Sequence, residues 1–191
     1  MRRLLNYNKF MRWLLLASLL LTSIASAFDL PGTDGQTYDP LAAGGKKAVM
    51  LIFVSPFCST TKSFIKEINQ ITADYSDRVA VYLVHSDPEI TREVAMEHAI
   101  LSEVKATVLL DKEQVLAKQV KAKITPEAIV LSPKAEVLYQ GRINDLYLGP
   151  TKRQRAATTK DLRDALDAIL SGKPVPAPQH PAQGCKIGGM K

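Results

Sequence analysis

Cys58 and Cys185 are the two cysteines of the chain, and Cys58 stands where a thiol can become a nucleophile. It follows a charge-free apolar run, Ala48 to Val54 (AVMLIFV), and the short break Ser55-Pro56-Phe57. A segment with helical spacing comes next. The C-terminal end of a buried strand is where α/β folds present ligand-facing groups. A helix start offers free N–H groups and the positive end of a dipole, both of which favour a thiolate. Lys62, one turn on, adds positive charge if it folds back. The thiolate is the species that attacks disulfides and peroxides. The alternative is a buried, inert cysteine. Three histidines, His85, His98 and His180, are scattered and lack metal-ligand spacing with the cysteines. No metal and no cofactor is expected. A copper-handling protein using Cys58, Cys185 and His180 as soft ligands is the remaining metal alternative.

The elements that must position Cys58 lie within one domain. The 191 residues are 46% hydrophobic, enough for a single core. Arg2, Arg3, Lys9 and Arg12 precede the apolar run Trp13 to Leu21, and Ala25-Ser26-Ala27 supplies small residues at a cleavage position. This is the three-part pattern of a secretory signal peptide. It predicts cleavage after Ala27, a periplasmic or secreted product, and no stable membrane anchor afterwards. The apolar stretch is short against the roughly 20 residues that a bilayer requires. The chain is thus divided into a leader (1–27), a domain (28–171) and a Pro/Gly-rich tail (172–191) carrying Cys185. The formal charge of +6 shrinks when the four leader cations are removed, leaving 21 cations against 19 acids. Nucleic-acid binding is not expected.

Asp34-Gly35 predicts a small N-terminal hairpin. Ala48 to Val54 and Arg78 to His85 read as buried strands. Between them Phe64, Ile65, Ile68 and Ile71 repeat at helical spacing over Ser59 to Tyr75. Asp87-Pro88-Glu89 suggests the start of a second helix, with Asp87 as cap. Thr107 to Leu110 is a short strand, and Lys112 to Val120 a short helix. Glu127 to Leu131 and Glu136 to Ile143 form a hairpin around Ser132-Pro133-Lys134-Ala135. A basic loop follows, with Lys152, Arg153 and Arg155. Thr158-x-x-Asp161 reads as a capping box for a last helix ending at Ser171. The sum is an α/β sandwich with a mixed central sheet.

Several segments together resemble the redoxins, the thioredoxin-like branch of alkyl hydroperoxide reductase/thiol-specific antioxidant (peroxiredoxin-like) proteins. They are LIFVSPFCSTTKSFIKEINQI around Cys58, Thr125-Pro126 before EAIVL, Gly141-Arg142-Ile143-Asn144-Asp145, Thr158 to Leu166, and Gly184-Cys185. The last three resemble a bacterial exported subgroup. The resemblance implies a thioredoxin fold, three-layer α/β/α with a mixed central sheet and an N-terminal β-hairpin. It implies a thiol oxidoreductase acting on a thiol/disulfide protein or a peroxide through Cys58, with an external reductant. Ser55 matches the hydroxyl position three before the reactive cysteine, and Arg142 the arginine that supports a thiolate. Thr125-Pro126 matches the cis-proline that shapes the substrate groove. Three departures stand out. Thr61 replaces the second cysteine of Cys-x-x-Cys, so no local dithiol exists. Leu51 stands where peroxiredoxins carry proline. Ile52 occupies the position of the buried acid of thioredoxins. These departures keep a non-catalytic thioredoxin-like binding module as an alternative.

Cys185 is then the candidate resolving thiol. The 13 residues from Gly172 reach about 40 Å in polyproline geometry, comparable to the diameter of such a domain. Pairing with Cys58, a permanent structural disulfide, a free tail cysteine and an intermolecular link all remain open.

Overall fold

A computed structural model describes residues 28–190. The proposed leader therefore lies outside the described residues. The elements run β1 (Leu30–Pro31), β2 (Thr37–Tyr38), β3 (Ala48–Phe53), α1 (Ser59–Tyr75), β4 (Val79–His85), α2 (Arg92–Leu101), β5 (Thr107–Leu110), α3 (Val115–Gln119), β6 (Ile124–Thr125), β7 (Glu127–Leu131), β8 (Val137–Gly141), α4 (Asp161–Leu170) and β9 (Cys185–Lys186).

Five strands form one sheet in the order β5-β4-β3-β7-β8. β3, β4 and β5 are parallel; β7 and β8 run antiparallel to their neighbours. The central β3 is buried along its whole length, as a charge-free run between two packed layers must be. Its alternate residues serve different layers. Met50 and Ile52 face a core shared with Phe64, Ile68 and Ile71 of α1, Ala95 of α2 and Leu162 and Leu166 of α4. Val49, Leu51 and Phe53 face Leu116 and Ala117 of α3, Leu30 and Tyr38 of the N-terminal hairpin, and Ile187 of the tail. Burying each of the large α1 side chains contributes about 1.5–3 kcal/mol. This is a thioredoxin fold with helices on both faces, three on one and the short α3 on the other. Among the described residues no helix is long and apolar enough to cross a membrane.

Three local expectations are corrected. Asp87 does not cap a helix. Its carboxylate accepts from the Glu89 N–H in a turn that buries Ile90, and α2 begins at Arg92 with Thr91 Oγ1 accepting from the Val94 N–H at 3.3 Å. Thr158 does not form a capping box. Its hydroxyl and N–H turn to the buried Asp145 carboxylate, and α4 starts after Lys160 without a side-chain cap. The helix expected over Lys112 to Val120 shrinks to α3, because Asp111 accepts from the N–H groups of Leu116 and Ala117 and so sets the helix start.

The tail is docked. Ala182 and Ile187 are buried, the Arg142 N–H donates to the His180 carbonyl, and Cys185–Lys186 pairs antiparallel with Ile124–Thr125.

Candidate functional site

The strand register brings the two halves of the site together. Phe53, the last residue of β3, pairs with Glu127, the first of β7. The loop leaving β3 therefore lies beside the segment entering β7, which is Thr125-Pro126 with a cis peptide bond. In that β3 loop the Ser55 hydroxyl accepts from the Phe57 N–H at 3.3 Å, and the Ser55 carbonyl accepts from the Cys58 N–H at 3.2 Å. Ser55 thus shapes the turn that presents Cys58. Cys58 is the N-cap of α1, its backbone extended at φ −92° and ψ 113°, and its carbonyl accepts the first helical bond from the Lys62 N–H.

Cys58 is 2% exposed. Its Sγ donates to the Thr125 carbonyl at 3.1 Å. The tail supplies the rest. In the β6–β9 pair Thr125 stands opposite Cys185, the Thr125 hydroxyl donates to the Cys185 carbonyl at 3.4 Å, and the Ile187 N–H donates to the Lys123 carbonyl at 3.0 Å. Gly184 permits this approach, since a Cβ there would fall on the Thr125 carbonyl. Both cysteines are free thiols, Cys58 buried and Cys185 exposed.

The two thiols are shifted in opposite directions. Burial pushes Cys58 up, but the Cys185 thiol, the Thr61 N–H, the Thr125 side chain and the Cys185 N–H all favour its anion and together lower it to about 7. Cys185 is raised to about 11, by burial first and then by its hydrogen bond with Cys58 and the charge there. The pair is asymmetric: its surroundings make the Cys58 proton the more readily lost and the Cys185 proton the more firmly held. Such a pair can attack a disulfide or peroxide with one sulfur and resolve the product with the other.

The remaining sequence candidates are distributed as follows. Thr125 and Pro126 flank Cys58, but the Thr125 backbone edge, expected to shape a substrate groove, is taken by the chain's own tail. Arg142 is engaged elsewhere. Its Nε donates to Asp161 at 2.9 Å, and its guanidinium reaches the Thr159 hydroxyl at 3.5 Å. His180 offers its backbone carbonyl to Arg142, and among the described residues no group of three or more His, Cys, Asp or Glu stands close enough to hold a metal ion. The copper set of Cys58, Cys185 and His180 is not assembled. His85 and His98 meet edge to face at 5.3 Å. Burial, then the neighbouring His98, lowers His85 to about 3 and keeps it neutral.

Two contributors escape sequence reasoning. Thr61 is legible only as a missing cysteine, yet its N–H favours the Cys58 anion. Its position three residues after the cap was the available signal. Glu127 reads as a strand residue. Its buried carboxylate accepts from the Lys123 N–H at 2.8 Å and from the Gln140 amide at 3.2 Å, which ties down the approach to β6.

A cysteine at the head of α1, facing a cis-proline across the sheet end, defines a protein of the thioredoxin class. Comparison with known proteins narrows this. The sequence model of the AhpC/TSA family matches residues 21–140, and the chain belongs to that family, within the thioredoxin-like redoxins. No curated protein matches the chain. Among solved structures it is similar to a hypothetical protein from Sinorhizobium meliloti 1021, at 26% identity over 85% of this chain and 91% of that one, TM-score 0.73. It is similar also to an uncharacterized conserved protein from Geobacillus kaustophilus, at 26% identity over 85% and 88%, TM-score 0.74. A secreted disulfide oxidoreductase of Mycobacterium tuberculosis shares the fold at 14% identity, over 76% of this chain and 96% of that one, TM-score 0.53.

Proposed function

We propose that this chain is an exported thiol oxidoreductase that cycles Cys58 and Cys185 between dithiol and disulfide. The observation that carries this reading is the β6–β9 bridge, which sets Cys185 opposite Thr125, the residue whose carbonyl holds the Cys58 thiol. The Cys58 thiolate attacks one sulfur of a substrate disulfide and expels the other as a thiolate. Cys185 then loses its proton and attacks the Cys58 sulfur. The second substrate sulfur leaves as a thiol, and the Cys58–Cys185 disulfide remains. An external thiol reductant restores the pair. Engagement of Arg142 by Asp161 favours disulfide exchange over a peroxidase that relies on arginine at the thiolate.

Peroxide reduction is the second reading, favoured by the 2% exposure of Cys58, which suits a small oxidant. Cys58 would take the terminal peroxide oxygen as sulfenic acid, releasing an alcohol or water, and Cys185 would condense with it to disulfide and water.

The test reacts the reduced protein with oxidised glutathione, with a disulfide-bonded protein and with hydrogen peroxide, followed by peptide mapping without reductant. The expected product is the Cys58–Cys185 disulfide. Cys58→Ser abolishes turnover, and Cys185→Ser accumulates a mixed disulfide or sulfenic acid on Cys58. Undiminished turnover in Cys58→Ser refutes the proposal. Export to an oxidising compartment, where such a pair suits its surroundings, is checked by N-terminal sequencing of the product, with Phe28 expected first. An intact Met1 in the purified protein argues against cleavage.

A further inference from the structure

Gln114 has no part in the sulfur chemistry described so far, yet its setting is demanding. It is buried, and its φ of +59° lies in the left-handed region, where residues with a side chain are uncommon. It precedes α3 without capping it; Asp111 does that instead. Its side-chain amide donates to two carbonyls, Ser86 at 2.8 Å and Gly188 at 2.5 Å. Ser86 follows the C-terminal end of β4. Gly188 lies in the tail, just beyond Cys185 and Ile187. One buried amide therefore ties the tail to the end of the sheet.

The tie matters because β9 has only two residues, too few to hold a position by their own pairing. The tail is fixed on one side of Cys185 by the His180 carbonyl on Arg142, and on the other by Ile187 and Gly188. Loosening the second anchor frees Cys185 to leave Thr125.

We propose that Gln114 is a positioning residue for the Cys58–Cys185 couple, its amide holding Gly188 and so setting the effective concentration of the Cys185 sulfur at Cys58. The proposal rests on the dithiol–disulfide reading above. It accounts for the side chain kept on a left-handed backbone. Glycine takes that conformation more readily but carries no amide. Asparagine tolerates it but is one methylene shorter.

The experiment compares the wild-type chain with Gln114→Gly in glutathione redox buffers. The Cys58–Cys185 disulfide is quantified by peptide mass after acid quenching and alkylation. Thermal unfolding of the reduced protein and the pH midpoint of Cys58 alkylation are measured alongside. The equilibrium constant for the internal disulfide is expected to fall about tenfold, raising the reduction potential by about 30 mV. The Cys58 midpoint is expected to rise above about 7, with the melting temperature lowered by the two carbonyls left without their donor. A constant within twofold of wild type and an unmoved midpoint overturn the proposal, and a lowered melting temperature beside them reduces Gln114 to a structural role. Should Gln114→Gly not fold, Gln114→Asn is judged by the same constant and midpoint. Absence of the disulfide in the wild-type arm refutes the dithiol reading itself, whereas a disulfide equally stable in both arms refutes only the role of Gln114.

Discussion

Replacing Cys185 with alanine removes one thiol and leaves the backbone of β9 in place, and it should be felt at Cys58. Burial alone pushes the Cys58 thiol up, and the Cys185 thiol leads the groups that bring it down to about 7. A hydrogen bond to a charged acceptor contributes about 1.5–3 kcal/mol, and each pKa unit corresponds to about 1.4 kcal/mol. The Cys58 midpoint in Cys185→Ala is therefore expected at about 8 or above. The assay is alkylation of the reduced protein with iodoacetamide from pH 5 to 10, followed by mass quantification of the Cys58 peptide. In the wild type the rate climbs about tenfold per pH unit below the midpoint and levels off above about 7, because only the thiolate reacts. At pH 7 the thiolate fraction falls from about one half to about one tenth or less when the midpoint reaches 8. Part of that loss is offset, since a thiolate of higher pKa is intrinsically more nucleophilic. The midpoint is therefore the deciding quantity, and it is also insensitive to any extra access that the smaller side chain gives. A midpoint that stays at about 7 or falls would show that Cys185 does not sustain the Cys58 thiolate.

The oxidised protein should be attacked by a small thiol at Cys58, because reduction by glutathione retraces the step in which Cys185 closes the disulfide against a mixed disulfide on Cys58. Rapid acid quenching after reaction with glutathione should find glutathione on Cys58 and the alkylating agent on Cys185; the reverse assignment contradicts the proposed cycle. Gly184→Ala should part β9 from β6, because the new Cβ meets the fixed Thr125 carbonyl rather than a flexible side chain. Formation of the internal disulfide is expected to slow about tenfold, corresponding to about 1.4 kcal/mol in the barrier, and stopped-flow oxidation at wild-type speed would show that the close approach is dispensable.

Much of the framework was legible because its signals are local. The run from Ala48 needs no partner to announce a strand buried on both faces. Thr107–Leu110, Glu127–Leu131 and the helix Ser59–Tyr75 lie where their patterns place them. Cys58 at the head of that helix follows from the same punctuation. Helix starts were less legible, because several residues compete for each cap. Asp87 spends its carboxylate on a turn that buries Ile90, and Thr158 spends its hydroxyl on Asp145, which lies in an earlier loop. The tail was the hardest part. Chain length shows that Cys185 can reach Cys58, but the register of a two-residue strand depends on contacts distant in sequence, such as Ile187 in the second core layer and Gly184 against Thr125. The destination of Arg142 was hidden for the same reason. Asp161 reads in the sequence as part of a capping box and becomes the partner of Arg142 only once α4 packs beside β8.

Cys185 stands on β9 and Cys58 at the head of α1, so the proposed sulfur chemistry would be coupled to the integrity of the whole domain. On the proposed cycle, oxidation ties together points that enclose most of the folded chain. In the chain-entropy view a crosslink closing a 100-residue loop restricts the unfolded ensemble by about 4.7 kcal/mol. By thermodynamic linkage, whatever the bond adds to the stability of the fold is the amount by which the fold favours the bond. The reduction potential of this pair is thus a measure of how well the two ends of the domain are held together. Each catalytic turnover would move the protein between a more and a less firmly closed polypeptide circuit.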